Sequence, residues 1–140
     1  MDNVCACQKC KRMCQLSPCM GTPEDIEKLL NAGHADKLAI TAWGNPGNTY
    51  VVIMPRKKTN EAVITNMVGE CVFYEKGKCL LHADGLKPKE GRISNHRTSH
   101  NGLKVRNVVA VEWKKPEAEK LIDKFIESQP HLKQWILANC

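Results

Sequence analysis

The sequence contains few aromatic residues and no long apolar segment. It has three Trp, two Tyr and two Phe among 140 residues, and its longest purely apolar runs, such as residues 51–54, span four positions. A membrane-spanning helix needs about 20 consecutive apolar residues, so we expect no membrane contact. The balance of 42% hydrophobic and 26% charged residues is typical of a globular domain and excludes a collagen-like or largely disordered chain.

The first residues also lack the apolar segment of a secretory signal peptide, because the chain opens with MDNVCAC. The whole chain nevertheless contains eight cysteines. In a reducing compartment disulfides are rare, and clustered cysteines more often bind metal or carry out redox chemistry. We therefore expect a cytoplasmic protein whose cysteines bind metal.

Three segments of different composition follow one another in what we expect to be a single domain, residues 1–140. Residues 1–21 form a cysteine-rich head with almost no periodic apolar pattern, so hydrophobic burial alone does not order this head. Residues 22–92 are expected to contain a helix, the sheet and a second cysteine block. Residues 93–140 are expected to contain a strand and the C-terminal helices.

Several local signals predict the elements of the middle segment. Thr22 as N-cap and Pro23 at the first helical position predict a helix start, and Gly33 predicts its end. A second short helix is expected at residues 35–42. The β-branched residues within 49–54 predict a strand that ends at the following proline.

The last segment carries the clearest helical periodicity. From Pro116 onward, apolar residues recur at helical spacing, and a last short helix is expected at residues 132–137. The mostly apolar run at residues 107–113 predicts a strand that is buried on both faces. The sequence therefore predicts an α+β fold, a small β-sheet flanked by helices, with a cysteine-rich N-terminal segment tied down by metal.

The cysteines form two groups with spacings suited to metal binding. Five lie within fifteen residues of the head, and they are Cys5, Cys7, Cys10, Cys14 and Cys19. Two more stand in the second block, where Cys71 and Cys79 are followed by His82. Tetrahedral zinc takes four such ligands at about 2.3 Å, and a Cys-x2-Cys pair directs two thiolates to one ion from a single turn.

We expect the head and the second block to share one site. The predicted ligands are Cys7, Cys10, Cys14, Cys19, Cys71 and Cys79, with Cys5 and His82 as additional candidates. Zinc is the expected metal, and iron or an iron–sulfur cluster is the alternative, because a cluster is also held by four cysteines. Such a site would supply folding free energy where the head has no apolar core of its own.

The order of these motifs resembles the YkgJ-like family of cysteine-cluster proteins, which are described as zinc- or iron-chelating. Members open with clustered cysteines and continue into a helix with a Thr-x-x-Asp-like cap, as in Thr22-Pro23-Glu24-Asp25 here. A second block with two cysteines around a glycine then leads to a Lys/Arg-Pro turn, which corresponds to residues 71–92. The resemblance implies metal binding, and it implies no further activity.

The chain departs from that family pattern at two positions. The adjacent Cys-Cys pair is missing, because Cys14 stands alone, and Gly91 occupies the place of the last family cysteine. A substitute ligand is therefore expected, either Cys19, Cys5 or His82. We favour Cys19, because it lies just before the start of a helix, whose positive end stabilises a thiolate.

The sequence predicts a metal-binding protein with a structural site in a binding or adaptor module that contacts an unknown protein partner. The first alternative is an iron–sulfur protein in electron transfer or an oxidoreductase system. No catalytic template is present, since the chain has neither a His-Glu-x2-His motif nor a phosphate-binding glycine loop. The enzyme class, if any, is therefore left open.

The second alternative is a zinc-stabilised nucleic-acid binder. The formal net charge is +6, and residues 87–106 contain six basic side chains against one glutamate. Such a stretch is able to face phosphates, but it contains no aromatic residue on which bases stack. We therefore consider a solvated loop the better interpretation of these charges, and nucleic acid the weaker partner hypothesis.

Overall fold

The computed structural model describes residues 15–45, 48–59, 63, 68–90 and 102–139. The helices are α1 (Pro23–Asn31), α2 (Gly102–Ala110), α3 (Pro116–Glu127) and α4 (Pro130–Asn139). The strands are β1 (Leu38–Asn45), β2 (Asn48–Pro55), β3 (Tyr74–Glu75) and β4 (Lys78–Cys79). Short 3-10 turns occupy Ala35–Lys37 and Val111–Lys114. The predicted α+β class is confirmed, and the described residues contain two small antiparallel sheets instead of one. The predicted attachment of the N-terminal segment by metal stays a prediction.

Helix α1 begins and ends where the sequence predicts. Thr22 is the N-cap, and its hydroxyl oxygen accepts a hydrogen bond from the backbone N–H of Asp25 at 3.2 Å. The Asp25 carboxylate in turn accepts from the Thr22 N–H at 3.0 Å, which completes a capping box. Gly33 follows the helix with a φ of 88°, the left-handed conformation that ends many helices.

Strands β1 and β2 pair in a long antiparallel hairpin. Leu38 pairs with Pro55 at its base, and Trp43 pairs with Tyr50 near its tip. Side chains near the base, among them Val52 and Ile53, are fully buried. The hairpin packs against α1 and against the 3-10 turn Val111–Lys114, so it lies between the first helix and the C-terminal half.

One hydrophobic cluster connects all the described parts of the chain. Met20, Ile26, Phe73, Trp113 and Phe125 are each at most 4% exposed, and they come from the head, α1, the second cysteine block, the second 3-10 turn and α3. The described parts of the cysteine-bearing segments, around Cys19, Cys71 and Cys79, therefore rest on the same core as the helices. Among the described residues, no helix is long and apolar enough to cross a membrane.

Two predicted elements are wrong. Residues 107–113 form the end of α2 and the following 3-10 turn, not a strand, because their apolar side chains follow helical spacing. Val109, Ala110 and Trp113 are buried, whereas Val108 and Val111 are about half exposed. A short continuous apolar run does not distinguish helix from strand, which explains the error.

The second error concerns residues 35–42, which were expected to form a helix. Only Ala35–Lys37 makes a helical turn, and β1 begins at Leu38. The β-branched pair Ile40 and Thr41 lies across from Ile53 and Val52 of β2, and all four side chains are buried. This cross-strand packing stabilises the extended conformation.

Candidate metal centre

The second cysteine block is built around a tight hairpin. Strands β3 and β4 are joined by Lys76 and Gly77, whose φ values of 50° and 78° are those of a two-residue turn with left-handed backbone. In this register Cys79 lies directly opposite Tyr74. Cys71 precedes the hairpin and bridges to Lys57, so both cysteines are fixed by β-type pairing.

Each of these cysteines begins a reverse turn. The carbonyl oxygen of Cys71 accepts a hydrogen bond from the N–H of Tyr74 at 3.0 Å. The carbonyl oxygen of Cys79 accepts from the N–H of His82 at 3.1 Å. Turns of this kind hold a cysteine in a defined backbone position, which a metal site needs because the ligand directions are fixed by the ion.

The three described candidate cysteines lie against the same core. Cys71 is 5% exposed, whereas Cys19 and Cys79 are partly buried and pack on the core from its edge. The other predicted ligands in the head, Cys5, Cys7, Cys10 and Cys14, lie outside the described residues. Their distance from Cys71 and Cys79, on which the predicted shared site depends, therefore stays a prediction.

The first described residues of the head contact the second block directly. The N–H of Gly69 donates to the carbonyl oxygen of Leu16 at 2.7 Å. The side-chain amide of Gln15 donates to the hydroxyl of Tyr74 at 3.0 Å. The chain that emerges from the cysteine-rich head thus runs beside the segment that carries Cys71 and Cys79.

Residues 17–21, which we call the linking segment, connect this contact to α1 and include Cys19. The carbonyl oxygen of Pro18 accepts a hydrogen bond from Arg106 Nη2 at 2.8 Å. Met20 donates its N–H to Glu90 Oε1 at 2.6 Å and accepts from the Glu90 N–H at 3.0 Å. Hydrogen bonds to distant residues therefore fix the backbone on both sides of Cys19.

The ring nitrogen of Trp113 adds a third anchor, since it donates to the carbonyl oxygen of Gly21 at 2.8 Å. Glu90, Arg106 and Trp113 were not predicted from the sequence as residues that hold the linking segment. Their contacts join positions separated by 70 to 92 residues along the chain. Periodicity and local motifs carry no signal for partners so far apart.

His82 is exposed, and its backbone N–H donates to the carbonyl oxygen of Cys79. Within the described ranges, no three Cys, His, Asp or Glu side chains form a group able to hold a metal ion. A site completed by described residues alone is therefore not present. The predicted set of six cysteines depends on the three that lie in residues 1–14.

The basic stretch at residues 87–106 is only partly described, but one of its members is clearly not solvated. Arg106 forms an ion pair with Glu90 and lies over the ring of Trp43, 5.5 Å from its centroid. Lys114 similarly lies 4.8 Å from the centroid of the Tyr50 ring. These two cation–π contacts attach the hairpin tip to the α2 side of the molecule.

A cleft of about 590 Å³ opens beside the start of α1, but its charges are mixed. Lys115 donates a hydrogen bond to Glu112, which lowers the pKa of that carboxyl group and raises the pKa of the lysine. The opposite charges stabilise each other at this exposed position. The cleft therefore favours neither an anion nor a cation as a ligand.

Comparisons with known proteins give no further assignment. No family model matches this chain, and neither the curated proteins nor the solved structures contain a significant match. The resemblance to YkgJ-like proteins therefore stays an interpretation of the cysteine pattern.

Proposed function

We propose that this chain binds a zinc ion through thiolates from both the cysteine-rich head and the second cysteine block. The site is structural, and it holds the head against a binding module that contacts another protein. The observation that carries the proposal is the contact of Gln15 and Leu16 with Tyr74 and Gly69. Through this contact Gln15, the residue that follows Cys14, lies beside the segment that carries Cys71 and Cys79.

Chain connectivity makes a shared site feasible. Cys14 is bonded to Gln15, and Cys10 lies only four residues before Cys14. An extended chain spans up to about 3.6 Å per residue, so cysteines this close to the contact are within reach of the second block. Cys71 and Cys79 would supply two thiolates, and the head would supply the remainder of a tetrahedral set.

The partial burial of Cys19 and Cys79 is compatible with metal binding. Both are partly buried and pack against the edge of the core. Cys71 is buried, so a thiolate there would need a positive charge next to it. A zinc ion provides that charge, and a shell made of thiolates alone is typical of a closed structural site.

Metal quantification on purified protein tests this proposal. We expect wild-type protein prepared without oxygen to contain zinc, and Cys71→Ser/Cys79→Ser to lose most of it. Cys140→Ser is the control, because Cys140 belongs to neither cysteine group. Wild-type protein free of metal, or a double variant that keeps its metal as Cys140→Ser does, would refute the proposal.

The same preparation distinguishes zinc from an iron–sulfur cluster. A cluster bound by these thiolates contains iron and absorbs visible light near roughly 400 nm, whereas zinc gives no such absorption. Zinc without visible absorption supports the structural site. Iron with inorganic sulfide would instead favour electron transfer as the function.

A further inference from the structure

Three segments rich in basic residues lie side by side next to the β3–β4 hairpin. The N–H of Arg56 donates to the carbonyl oxygen of Lys37, and the N–H of Val72 donates to the carbonyl oxygen of Arg56, each at 3.0 Å. The N–H of Lys58 donates to the carbonyl oxygen of Glu70, also at 3.0 Å. We call the six basic residues of these segments the basic surface, and they are Lys37, Arg56, Lys57, Lys58, Lys76 and Lys78.

The basic surface carries a surplus of positive charge. The same segments contain only three carboxylates, Asp36, Glu70 and Glu75, so half of the formal net charge of +6 belongs to this region. Lys58 is paired with Glu70 at 2.5 Å. Arg56 instead donates to three backbone carbonyl oxygens, at 2.9, 3.0 and 3.3 Å, which hold its guanidinium in place without neutralising its charge.

Aromatic rings hold two of these cations in defined positions. Lys37 Nζ lies 5.6 Å from the centroid of the Phe73 ring, and Lys58 Nζ lies 5.9 Å from that of Tyr74. Phe73 and Tyr74 are only 1% and 8% exposed, so their rings support the ammonium groups and leave no platform on which bases stack. Cations that are already ordered lose less conformational entropy when they bind a ligand.

The backbone of Lys76 provides an independent observation. Its φ of 50° makes Lys76 the one non-glycine residue with a positive φ among those that the structure describes. Asparagine or glycine is favoured at this position of a two-residue hairpin turn, because other side chains are strained there. Strain of this kind is concentrated at functional sites. A lysine at the tip of this hairpin therefore indicates a role for its charge that is separate from stability.

We propose that the basic surface binds the phosphate backbone of a nucleic-acid duplex without reading its base sequence. Phosphates line a duplex at short, regular intervals, and a group of cations binds them by releasing condensed counterions. The buried rings of Phe73 and Tyr74 favour a duplex over a single strand, whose bases need exposed rings. This inference uses neither the basic stretch at residues 87–106 nor the proposed metal site.

Salt-dependent binding of a labelled DNA duplex of mixed sequence to the full chain tests the proposal. We expect Lys76→Asn to weaken binding at low salt, and to lower the slope of log affinity against log salt by about 1, because one phosphate contact is lost. Lys78→Gln, at an exposed position of β4, should act in the same way. Lys124→Gln removes the same charge from an exposed position of α3 and should match wild type.

Thermal unfolding of the same variants separates binding from folding. Lys76→Asn should unfold at a temperature no lower than wild type, because asparagine suits the left-handed turn. Weaker binding by a protein that is at least as stable supports a direct contact. Wild-type affinity in both Lys76→Asn and Lys78→Gln, or an equal loss in Lys124→Gln, would overturn the proposal. Tighter binding of polyglutamate or of a single DNA strand than of the duplex would also overturn it.

Discussion

Helix α3 and the linking segment both pack on the hydrophobic core, but they differ in how far hydrogen bonds to distant residues help to hold them. Helix α3 buries Ala118, Leu121 and Phe125 on one face, and burial of each large apolar side chain contributes about 1.5–3 kcal/mol. The linking segment also buries Met20, but it is fixed in addition by hydrogen bonds from Arg106 and Trp113, each worth about 0.5–3 kcal/mol. Burial is not directional, whereas these hydrogen bonds determine where each backbone atom lies.

This difference bears on the candidate metal centre. A helix that shifts slightly on its apolar face still buries most of that face, so exact placement is not required of it. A cysteine that binds metal must present its sulfur within a narrow range of distances and angles. Directional anchors on Pro18 and Met20 suit the segment that carries Cys19, and the predictions below separate the two kinds of attachment.

Removal of the metal should have the largest effect, and it should act mainly on one region. A structural zinc ion contributes on the order of 10 kcal/mol to the folding of the segments it joins. We expect chelation to lower amide protection in residues 15–21 and 71–82 more than in α3, whose apolar face stays buried. Hydrogen exchange followed by mass spectrometry measures both regions in one sample. Equal loss of protection, or equal retention, would show that the two regions are not held separately.

Truncation of a core side chain should act on the whole molecule. Phe125 is 2% exposed, and Phe125→Ala is expected to lower the free energy of unfolding by about 3–5 kcal/mol, because it leaves a cavity in the shared core. Urea denaturation measures this change. Lys124→Ala, at an exposed position of the same helix, should change the free energy by less than about 0.5 kcal/mol. A similar small effect for both variants would contradict burial as the force that holds α3.

An added methyl group at Gly21 should displace the linking segment. A Cβ atom there would lie 3.0 Å from the Cβ of Asp25 and 3.1 Å from the Cβ of Pro88. Gly21→Ala should therefore lower the free energy of unfolding by about 1–3 kcal/mol through overpacking. Thermal or urea unfolding checks the value, and an unchanged stability would mean that the segment is less closely packed than described.

Loss of the α1 cap should have the smallest effect. Thr22→Ala removes the hydroxyl that accepts from the Asp25 N–H, and it should lower the free energy of unfolding by about 1 kcal/mol. Thr22→Ser keeps an equivalent oxygen and should stay close to wild type. If both variants lose the same stability in urea, the capping hydrogen bond is not the reason for the effect.

The sequence predicted those features that depend on neighbouring residues. The boundaries of α1 follow from Thr22, Pro23 and Gly33, and the start of α3 follows from Pro116. The strand predicted at residues 49–54 lies within β2. Capping and periodicity act over a few positions, so a single sequence is enough to detect them.

Other features depend on partners that the sequence does not reveal. The apolar run at residues 107–113 predicted a buried strand. Its residues are helical, and which of their side chains are buried is known only from the structure of the core. The role of Arg106 depends on Glu90 and Pro18, which lie 16 and 88 positions away. The cysteine pattern indicated a metal site, but it gave no information on the anchors around Cys19.

X-ray absorption at the metal edge is the most direct test of the claim that the head and the second cysteine block share one ion. We predict that wild-type protein shows a shell of sulfur atoms at about 2.3 Å, and that Cys79→Ser and Cys14→Ser each reduce the number of sulfur atoms by one. Cys140→Ser should leave the spectrum unchanged. A shell of nitrogen and oxygen alone, or a sulfur count that neither Cys79→Ser nor Cys14→Ser alters, would contradict the account.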